Sequence, residues 1–312
     1  MSDKALGIDI GGTKIAVAAV RGNGEIVRET QIPTESERGF GSGVTRIAEA
    51  AALVLRETGW GASELAGIGI GCAGPVDPVR GTIHNPHTLP GWTGGNIVAA
   101  LRERFGCPVI LENDADMALL GECLAGAGRG FDPVVMLTFG TGIGGASFAG
   151  GSIVRGVAGE HPELGHLLVD PTGPPCYCGA RGCFETLASG SALTAAARAR
   201  GLSDARQLLI RAAEGDPAAE SVRGQALAAT ASAAWTLVHT LLPERIILGG
   251  GMMDEHYEPF AAAVTETLAK ATLVPVGRVG VAKAQLGNRA GLVGAASAVW
   301  SRLRLEPAGQ AS

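Results

Sequence analysis

Near its start the chain reads Ala5-Leu6-Gly7-Ile8-Asp9-Ile10-Gly11-Gly12-Thr13-Lys14. An apolar run ends in an aspartate and two glycines, and a second apolar run to Val20 follows directly. This order predicts two strands joined by a tight turn, and a third strand over Glu25 to Gln31 completes an antiparallel meander. Dinucleotide-binding folds and P-loops place a helix after their glycines, so the run argues against both.

A similar pattern occurs in the second half of the chain. There Thr138-Phe139-Gly140-Thr141-Gly142 also follows an apolar strand, so the two halves are expected to share one ancestral unit. Elsewhere, segments with apolar residues at helical spacing alternate with short apolar strands, as in Val44 to Thr58 and then Leu65 to Gly71. The alternation predicts an α/β fold with two lobes and an inter-domain cleft where the strand ends meet.

The length of 312 residues also favours two domains. We expect a small N-terminal lobe made of residues 1–120 and a C-terminal helix at about 291–305, and a large lobe made of residues 121–290. The tail from Glu306 to Ser312 is expected to be disordered. The 48 glycines, about twice the usual share of roughly 7%, imply many sharp turns and close backbone approaches, as in an enzyme that wraps a ligand.

Charge and hydropathy limit the classes of function. A formal net charge of -5 offers no basic face for a polyanion, so no nucleic-acid partner is expected. The first residues lack the basic and apolar regions of a signal peptide, and the longest uncharged run, Pro133 to Val154, contains too many glycines for a membrane helix. We therefore expect a cytoplasmic protein with no membrane partner.

A histidine and three cysteines have the spacing of a metal site. They are His166, Cys176, Cys178 and Cys183. In a reducing cytosol such thiols are more naturally metal ligands than disulfide partners, and the set matches tetrahedral structural zinc with no open position. The alternative is a group of unrelated buried thiols. The other cysteines, expected to be buried apolar residues, are Cys72, Cys107 and Cys123.

An acidic motif marks a candidate catalytic base. Glu112-Asn113-Asp114 follows a predicted strand and precedes a helix predicted to begin near Asp116, so its side chains project where active sites of α/β proteins gather. Asp114 suits a base that accepts the proton of an alcohol as it attacks a phosphoryl group. The alternative is helix capping by an acidic pair. His161, by contrast, is expected to be an ordinary loop histidine.

Glycine-rich turns can bind phosphates. At Asp9 to Lys14 the glycines expose backbone N–H groups to an anion, and Asp9 can hold a hydrated magnesium ion. Alone, such a motif is more often a plain Gly-Gly hairpin. Together with the turn at Thr138 to Gly145 and with Gly249-Gly250-Gly251, it predicts two phosphate cradles and a flat glycine surface for a purine.

These residues together resemble the ROK family (repressors, open reading frames and kinases), in particular its bacterial glucokinase branch. The resemblance covers nearly the whole chain, and its most specific part is Glu163-Leu164-Gly165-His166 followed by Cys176 to Glu185. The other motifs that carry it are Asp9 to Lys14, Gly71 to Asp77, Leu89 to Trp92, Glu112 to Asp114 and Ile247 to Gly251. Membership implies a two-lobed actin-like, ribonuclease-H-like ATPase fold.

The resemblance implies roles for individual residues, with Asp114 as the catalytic base. The sugar-binding residues would be Gly74, Asn85, Asn113, Asp114, Glu163, His166 and Glu185. The residues that bind ATP and magnesium would be Asp9, Gly11, Gly12, Thr13, Lys14, Thr138, Gly140, Thr141, Gly249 and Gly250. The zinc ligands would be His166, Cys176, Cys178 and Cys183.

Two departures from the family pattern bear on the sugar. This chain has Thr88 where family glucokinases commonly have an asparagine. The usual Ala-Gly-Glu-x-Gly-His motif is stretched here, and its His161-Pro162-Glu163 resembles fructokinase relatives. We assign the sugar contact to Glu163 rather than Glu160 because Glu163 keeps the spacing to His166.

The expected activity is ATP-dependent phosphorylation of a hexose at its 6-hydroxyl, with glucose favoured and fructose, mannose or an N-acetylhexosamine as alternatives. The cofactors would be ATP, Mg2+ and structural Zn2+, and a homodimer or homotetramer is expected. A sugar-sensing transcriptional regulator is the alternative from another class, but family repressors carry an N-terminal winged helix, whereas here the phosphate motif begins at Asp9. A non-catalytic sugar-binding regulator would need a missing base or a broken phosphate loop, and the sequence has neither.

Overall fold

The computed structural model describes residues 2–157 and 159–305 and divides into two compact units. The first unit contains Met1–Arg129, Arg155–His161 and Asn288–Ser312, and the second contains Gly130–Val154 and Pro162–Gly287. The segment Arg155–His161, which the sequence patterns placed in the second domain, therefore groups with the first unit, and the predicted domain limits stay a prediction. The tail predicted to be disordered lies outside the described residues.

Groups of strands alternate with helices or groups of helices along the chain, as predicted. The strands are β1 Lys4–Ile10, β2 Lys14–Arg21, β3 Ile26–Pro33, β4 Gly67–Cys72, β5 Val76–Asp77, β6 Thr82–Ile83, β7 Val109–Asn113, β8 Val134–Phe139, β9 Ile143–Ala149, β10 Ser152–Ile153, β11 Arg245–Gly249 and β12 Gly280–Lys283. The helices are α1 Phe40–Thr58, α2 Ile97–Phe105, α3 Asp114–Ala125, α4 Phe184–Ala188, α5 Gly190–Arg198, α6 Ala205–Ala213, α7 Pro217–Leu241, α8 Gly251–Leu268 and α9 Ala290–Leu305. The predicted meander is confirmed.

The two units contain sheets of the same topology. In the first unit the strand order is β3-β2-β1-β4-β7, with β1 to β3 antiparallel and β4 and β7 parallel to β1. In the second unit the order is β10-β9-β8-β11-β12, with β8 to β10 antiparallel and β11 and β12 parallel to β8. This agreement supports the repeat that the two glycine turns indicated.

Alternation along β1 sends neighbouring residues to opposite faces of the first sheet. Leu6 and Ile8 pack into the core that includes α1, whereas Ala5 packs against Leu292 of α9. Asp9 shares the face of Ala5, and a Cβ placed on Gly291 would lie 3.1 Å from its Cγ. The side chain of Asp9 is therefore directed at the first turn of α9.

Glycines let α9 approach its neighbours closely. A Cβ placed on Gly69 of β4 would stand 1.7 Å from the carbonyl oxygen of Ala295, and one on Gly294 would stand 1.6 Å from the carbonyl oxygen of Met117 in α3. Since no side chain fits at either position, α9 packs backbone against backbone on the sheet and on α3. This packing fixes the start of α3, where Asp114 lies.

The core of the second unit is built around three aromatic rings. Phe139 of β8 makes edge-to-face contacts with Phe184 and Phe260, at centroid distances of 5.7 and 5.4 Å. All three side chains are fully buried, so they anchor the end of β8 from which the second glycine turn departs. Among the residues that the structure describes, no helix combines the length and apolar character required to cross a lipid bilayer.

Candidate active site

The predicted base lies at the junction of β7 and α3. Asn113 caps the helix, since its Oδ1 accepts N–H bonds from Ala115 at 2.8 Å and Asp116 at 3.4 Å. An amide therefore provides the cap, and not an acidic pair. The Asp114 carboxylate accepts the Ala115 N–H at 2.8 Å and lies at the positive end of the helix. A Cβ placed on Gly74 would lie 2.9 Å from Nδ2 of Asn113, so these two predicted sugar contacts are neighbours.

Asp9 and Asp114 are two carboxylates with raised pKa values, and the charge of Asp114 acts on Asp9. Burial raises the pKa of Asp114 above its ordinary value, while the Ala115 N–H and the charge of His161 oppose the rise. Burial and then the charge of Asp114 raise the pKa of Asp9 to about 7, against the opposing charge of Lys14. Carboxylates perturbed in this way are typical of proton-transfer and cation sites.

A buried carboxylate two residues beyond the base is held by a distant segment. The side chain of Asp116 is fully buried, with Nη1 of Arg155 2.6 Å from its Oδ2 and Nδ1 of His161 2.9 Å from its Oδ1. Nη2 of Arg155 also lies 2.8 Å from Oε2 of Glu112. The expectation that His161 is an ordinary loop histidine is therefore wrong. No local pattern could have found these contacts, because Arg155 lies 39 positions from Asp116.

The amide of Asn85 holds the loop in which it lies. Its Oδ1 accepts the N–H groups of His87 at 3.1 Å and Thr88 at 2.9 Å, and its Nδ2 donates to the carbonyl of Ala73 at 3.2 Å and to the hydroxyl of Thr88. A sugar contact from Nδ2 would need one of these bonds to break. Thr88 in turn packs on the first glycine turn, since a Cβ placed on Gly12 would lie 3.2 Å from its Cβ.

The turn between β1 and β2 carries the first predicted phosphate cradle. The N–H of Gly11 donates to the carbonyl of Lys14 at 3.0 Å, and the hydroxyl of Thr34 donates to the carbonyl of Gly11 at 2.6 Å. These bonds hold the base of the turn, while Gly12 and Thr13 at its tip are exposed. An exposed glycine turn beside Asp9 can present backbone N–H groups to an anion.

The turn between β8 and β9 gathers the predicted nucleotide residues of the second unit. The N–H of Gly190, at the start of α5, donates to the carbonyl of Gly140 at 2.9 Å. A Cβ placed on Gly250 would stand 2.4 Å from the carbonyl oxygen of Phe139, so Gly250 lies directly against this turn. The residues that the structure brings together here are Thr138, Gly140, Thr141, Gly249 and Gly250.

The predicted metal ligands converge. Their ligand atoms, from His166, Cys176, Cys178 and Cys183, all lie within 4.8 Å of one another. Nδ1 of His166 lies 3.5 Å from Sγ of Cys176, and Sγ of Cys178 lies 3.5 Å from Sγ of Cys183. Zinc–sulfur bonds of about 2.3 Å in a tetrahedron place the sulfurs about 3.8 Å apart. The cluster therefore fits one tetrahedral cation.

The remaining predicted sugar contacts lie beside β9. Oε2 of Glu185 accepts the N–H of Ile143 at 2.9 Å. Gly165 crosses the same strand so closely that a Cβ placed on it would stand 2.1 Å from the carbonyl oxygen of Ile143. Gly165 lies between Glu163 and His166 in sequence. The segment Glu163 to His166 and the side chain of Glu185 therefore both contact Ile143 of β9.

The chain is similar to known proteins over nearly all of its length. Residues 5–302 match the sequence profile of the ROK family. The chain belongs to the ROK family. Among its ROK relatives, the glucokinase of Thermotoga maritima is 34% identical in an alignment 319 positions long, which covers 96% of this chain and 98% of that protein.

Solved ROK structures share the fold. The ROK hexokinase of Thermus thermophilus has a TM-score of 0.86 at 36% identity, and the match covers 97% of this chain and 100% of that one. A ROK glucokinase from Streptomyces griseus, solved in complex with glucose and AMPPNP, has a TM-score of 0.76 at 33% identity over 95% of this chain and 98% of that one. These similarities confirm the predicted family and its two-lobed actin-like α/β fold.

Proposed function

We propose that this ROK protein transfers the γ-phosphoryl group of ATP to the 6-hydroxyl of a hexose, with glucose as the favoured substrate. The observation that carries the proposal is the Asp114 carboxylate at the first turn of α3, whose pKa is raised, in a chain that aligns with a glucokinase over nearly the full length of both. The Streptomyces griseus relative in complex with glucose and AMPPNP supports both substrate classes.

The attacking hydroxyl must lose a proton during phosphoryl transfer, so the reaction needs a base. Asp114 is proposed to accept that proton, and its raised pKa brings its basicity closer to the operating pH. The Ala115 N–H holds one carboxylate oxygen in place. The other hydroxyls of the sugar are proposed to bind Gly74, Asn85, Asn113, Glu163, His166 and Glu185.

The phosphate charge must be balanced as well. Backbone N–H groups of the two glycine turns are proposed to bind the phosphates of ATP, with Gly249 and Gly250 near its adenosine. Asp9 fits a hydrated Mg2+ ion, because a desolvated carboxylate near a second carboxylate favours a divalent cation. Mg2+, when bound, neutralises negative charge on the transferred group.

The cysteine cluster is proposed to bind one structural Zn2+. All its ligands come from the protein, so zinc would hold the loop and not polarise the substrate. Its role would be to position Glu163, three residues before the ligand His166, and Glu185, two residues after the ligand Cys183. We also propose a cytoplasmic location and a homodimer or homotetramer, and the net charge of -5 disfavours a nucleic-acid partner.

An ADP-release assay across a panel of hexoses and amino-sugars tests the proposal. Glucose should give the highest kcat/KM, and Asp114→Asn should lose turnover with every sugar. A tenfold preference for fructose or N-acetylmannosamine would overturn the glucose assignment and leave the kinase assignment in place. Fructose is tested because His161-Pro162-Glu163 resembles fructokinase relatives. Sugar-dependent ADP release absent from the whole panel would overturn both assignments.

A further inference from the structure

Tyr177 lies between two cysteines of the cluster, and its phenol extends back to His166. The Tyr177 hydroxyl is 3.0 Å from Nε2 of His166, and the two rings make an edge-to-face contact with centroids 5.0 Å apart. Tyr177 is 82% exposed, so burial in a core does not impose this contact. The hydroxyl is held by polar partners.

The same hydroxyl faces both predicted sugar-binding carboxylates of the second unit. It lies close enough to Glu185 and Glu163 for the charge of each to act on it. One hydroxyl thus bonds His166 and lies near Glu163 and Glu185, and all three are residues proposed to bind sugar hydroxyls.

The imidazole of His166 has one nitrogen for each neighbour. Nδ1 faces the ligand cluster, 3.5 Å from Sγ of Cys176, which leaves Nε2 for Tyr177. With Nδ1 engaged by a cation, the ring hydrogen lies on Nε2, which donates it to the Tyr177 oxygen. A sugar hydroxyl can accept from Nε2 in the same way, but Nε2 has one hydrogen and cannot serve both.

We propose that the Tyr177 hydroxyl occupies the place of a sugar hydroxyl in the sugar-free enzyme and leaves Nε2 of His166 when the hexose binds. The inference rests on the proposed function. Exchange of one hydroxyl for another keeps Nε2 of His166 hydrogen-bonded in both states, so this polar group is never left unpaired. Because Tyr177 is exposed, its ring can turn away without opening the core. Tyr177 therefore lowers the affinity for sugar.

Tyr177→Phe tests the proposal because it keeps the ring and removes the hydroxyl. The chain has one other tyrosine, Tyr257 in α8, and Tyr257→Phe is the matched control. With zinc-loaded enzymes, calorimetry should show that Tyr177→Phe binds glucose about 2- to 10-fold more tightly than the wild type, the range for one net hydrogen bond. Its kcat and its KM for ATP should not change, and Tyr257→Phe should match the wild type.

A spectroscopic measurement follows the tyrosine directly. In the wild-type enzyme with isotope-labelled tyrosine, the ring NMR signal that is missing from Tyr177→Phe belongs to Tyr177. Addition of glucose should move this signal toward that of a free phenol. Weaker or unchanged glucose binding by Tyr177→Phe would overturn the proposal, as would a loss of zinc from that variant or a Tyr177 signal that ignores glucose. Failure of the proposed function is distinct from these results, since the wild type would then phosphorylate no hexose.

Discussion

Nδ1 of His161 lies 2.9 Å from Oδ1 of Asp116, a fully buried carboxylate two residues beyond the proposed base, Asp114. Arg155 binds the other oxygen of Asp116 at 2.6 Å. Partners of this kind offset the cost of burying a carboxylate. The segment Arg155–His161 therefore stabilises the first turn of α3 and sets the charge around Asp114.

Loss of Arg155 should strongly destabilise the protein. Arg155→Met leaves the buried Asp116 without its guanidinium partner, so we expect the free energy of unfolding to fall by about 3–5 kcal/mol. Arg206→Met is the control, because Arg206 and its partner Glu255 are 69% and 52% exposed and their solvent-screened ion pair should contribute little to stability. Denaturant unfolding measures both variants, and equal losses would contradict the role given to Arg155.

Replacement of the base should abolish most turnover without abolishing sugar binding. Asp114→Asn keeps the shape of the side chain but cannot accept the hydroxyl proton, so kcat should fall about 10²- to 10⁴-fold. Calorimetry should show a much smaller change in glucose affinity. Asp3→Asn, at an exposed aspartate far along the chain from α3, serves as the control. A folded Asp114→Asn enzyme with near-normal kcat would show that another group is the base.

The rate should depend on pH through the same carboxylate. Asp114 must be deprotonated to act as a base, and burial raises its pKa above the ordinary 3.8. Activity should therefore be complete at high pH and should be lost as the pH falls through this raised pKa. A profile of kcat/KM for glucose from high pH down to the lowest pH at which the enzyme stays folded measures the effect, and the fall should begin at a higher pH than an ordinary aspartate would give. A fall that begins only where an ordinary aspartate titrates would argue against Asp114.

Removal of the charge of Asp9 should stabilise the ligand-free protein, more so at high pH. Folding raises the pKa of Asp9 from 3.8 to about 7. The stabilising contribution of Asp9 is therefore fully present below pH 3.8 and is lost as the pH rises through 7. Asp9→Asn should therefore gain up to about 2 kcal/mol at pH 5 and about 4 kcal/mol at pH 8. Denaturant unfolding at the two pH values, without Mg2+ or ATP, tests this. A gain that does not grow with pH would contradict it.

Loss of one thiol should disturb the sugar contacts more than the nucleotide contacts. Elemental analysis should find one zinc atom per chain, bound by His166 and the three cysteines. Cys178→Ser should raise the KM for sugar about 10- to 100-fold, raise the KM for ATP much less, and lower stability, because metal binding and loop folding are coupled. Cys123→Ser, outside the cluster, is the control. Full activity in an enzyme without zinc would refute the proposal.

Much of the fold could be predicted because its signals are local. The turn after Asp9 is specified by neighbouring residues, since a Gly-Gly pair between two apolar runs favours a hairpin wherever it occurs. Three of the four metal ligands lie between Cys176 and Cys183, so the chain itself keeps them close. The position of Asp114 after a strand follows from the same local order of elements.

Contacts between distant segments could not be read from local patterns. Arg155 and His161 lie 39 and 45 positions from Asp116, and they meet it because their segment packs with the first unit. The direction of the Tyr177 hydroxyl is also a result of folding, since its bond to His166 depends on how the cysteine loop closes. Apolar periodicity and turn residues specify which elements form. The pairing of buried charges depends on the packing of those elements, because each charge must find its partner in space and not in sequence.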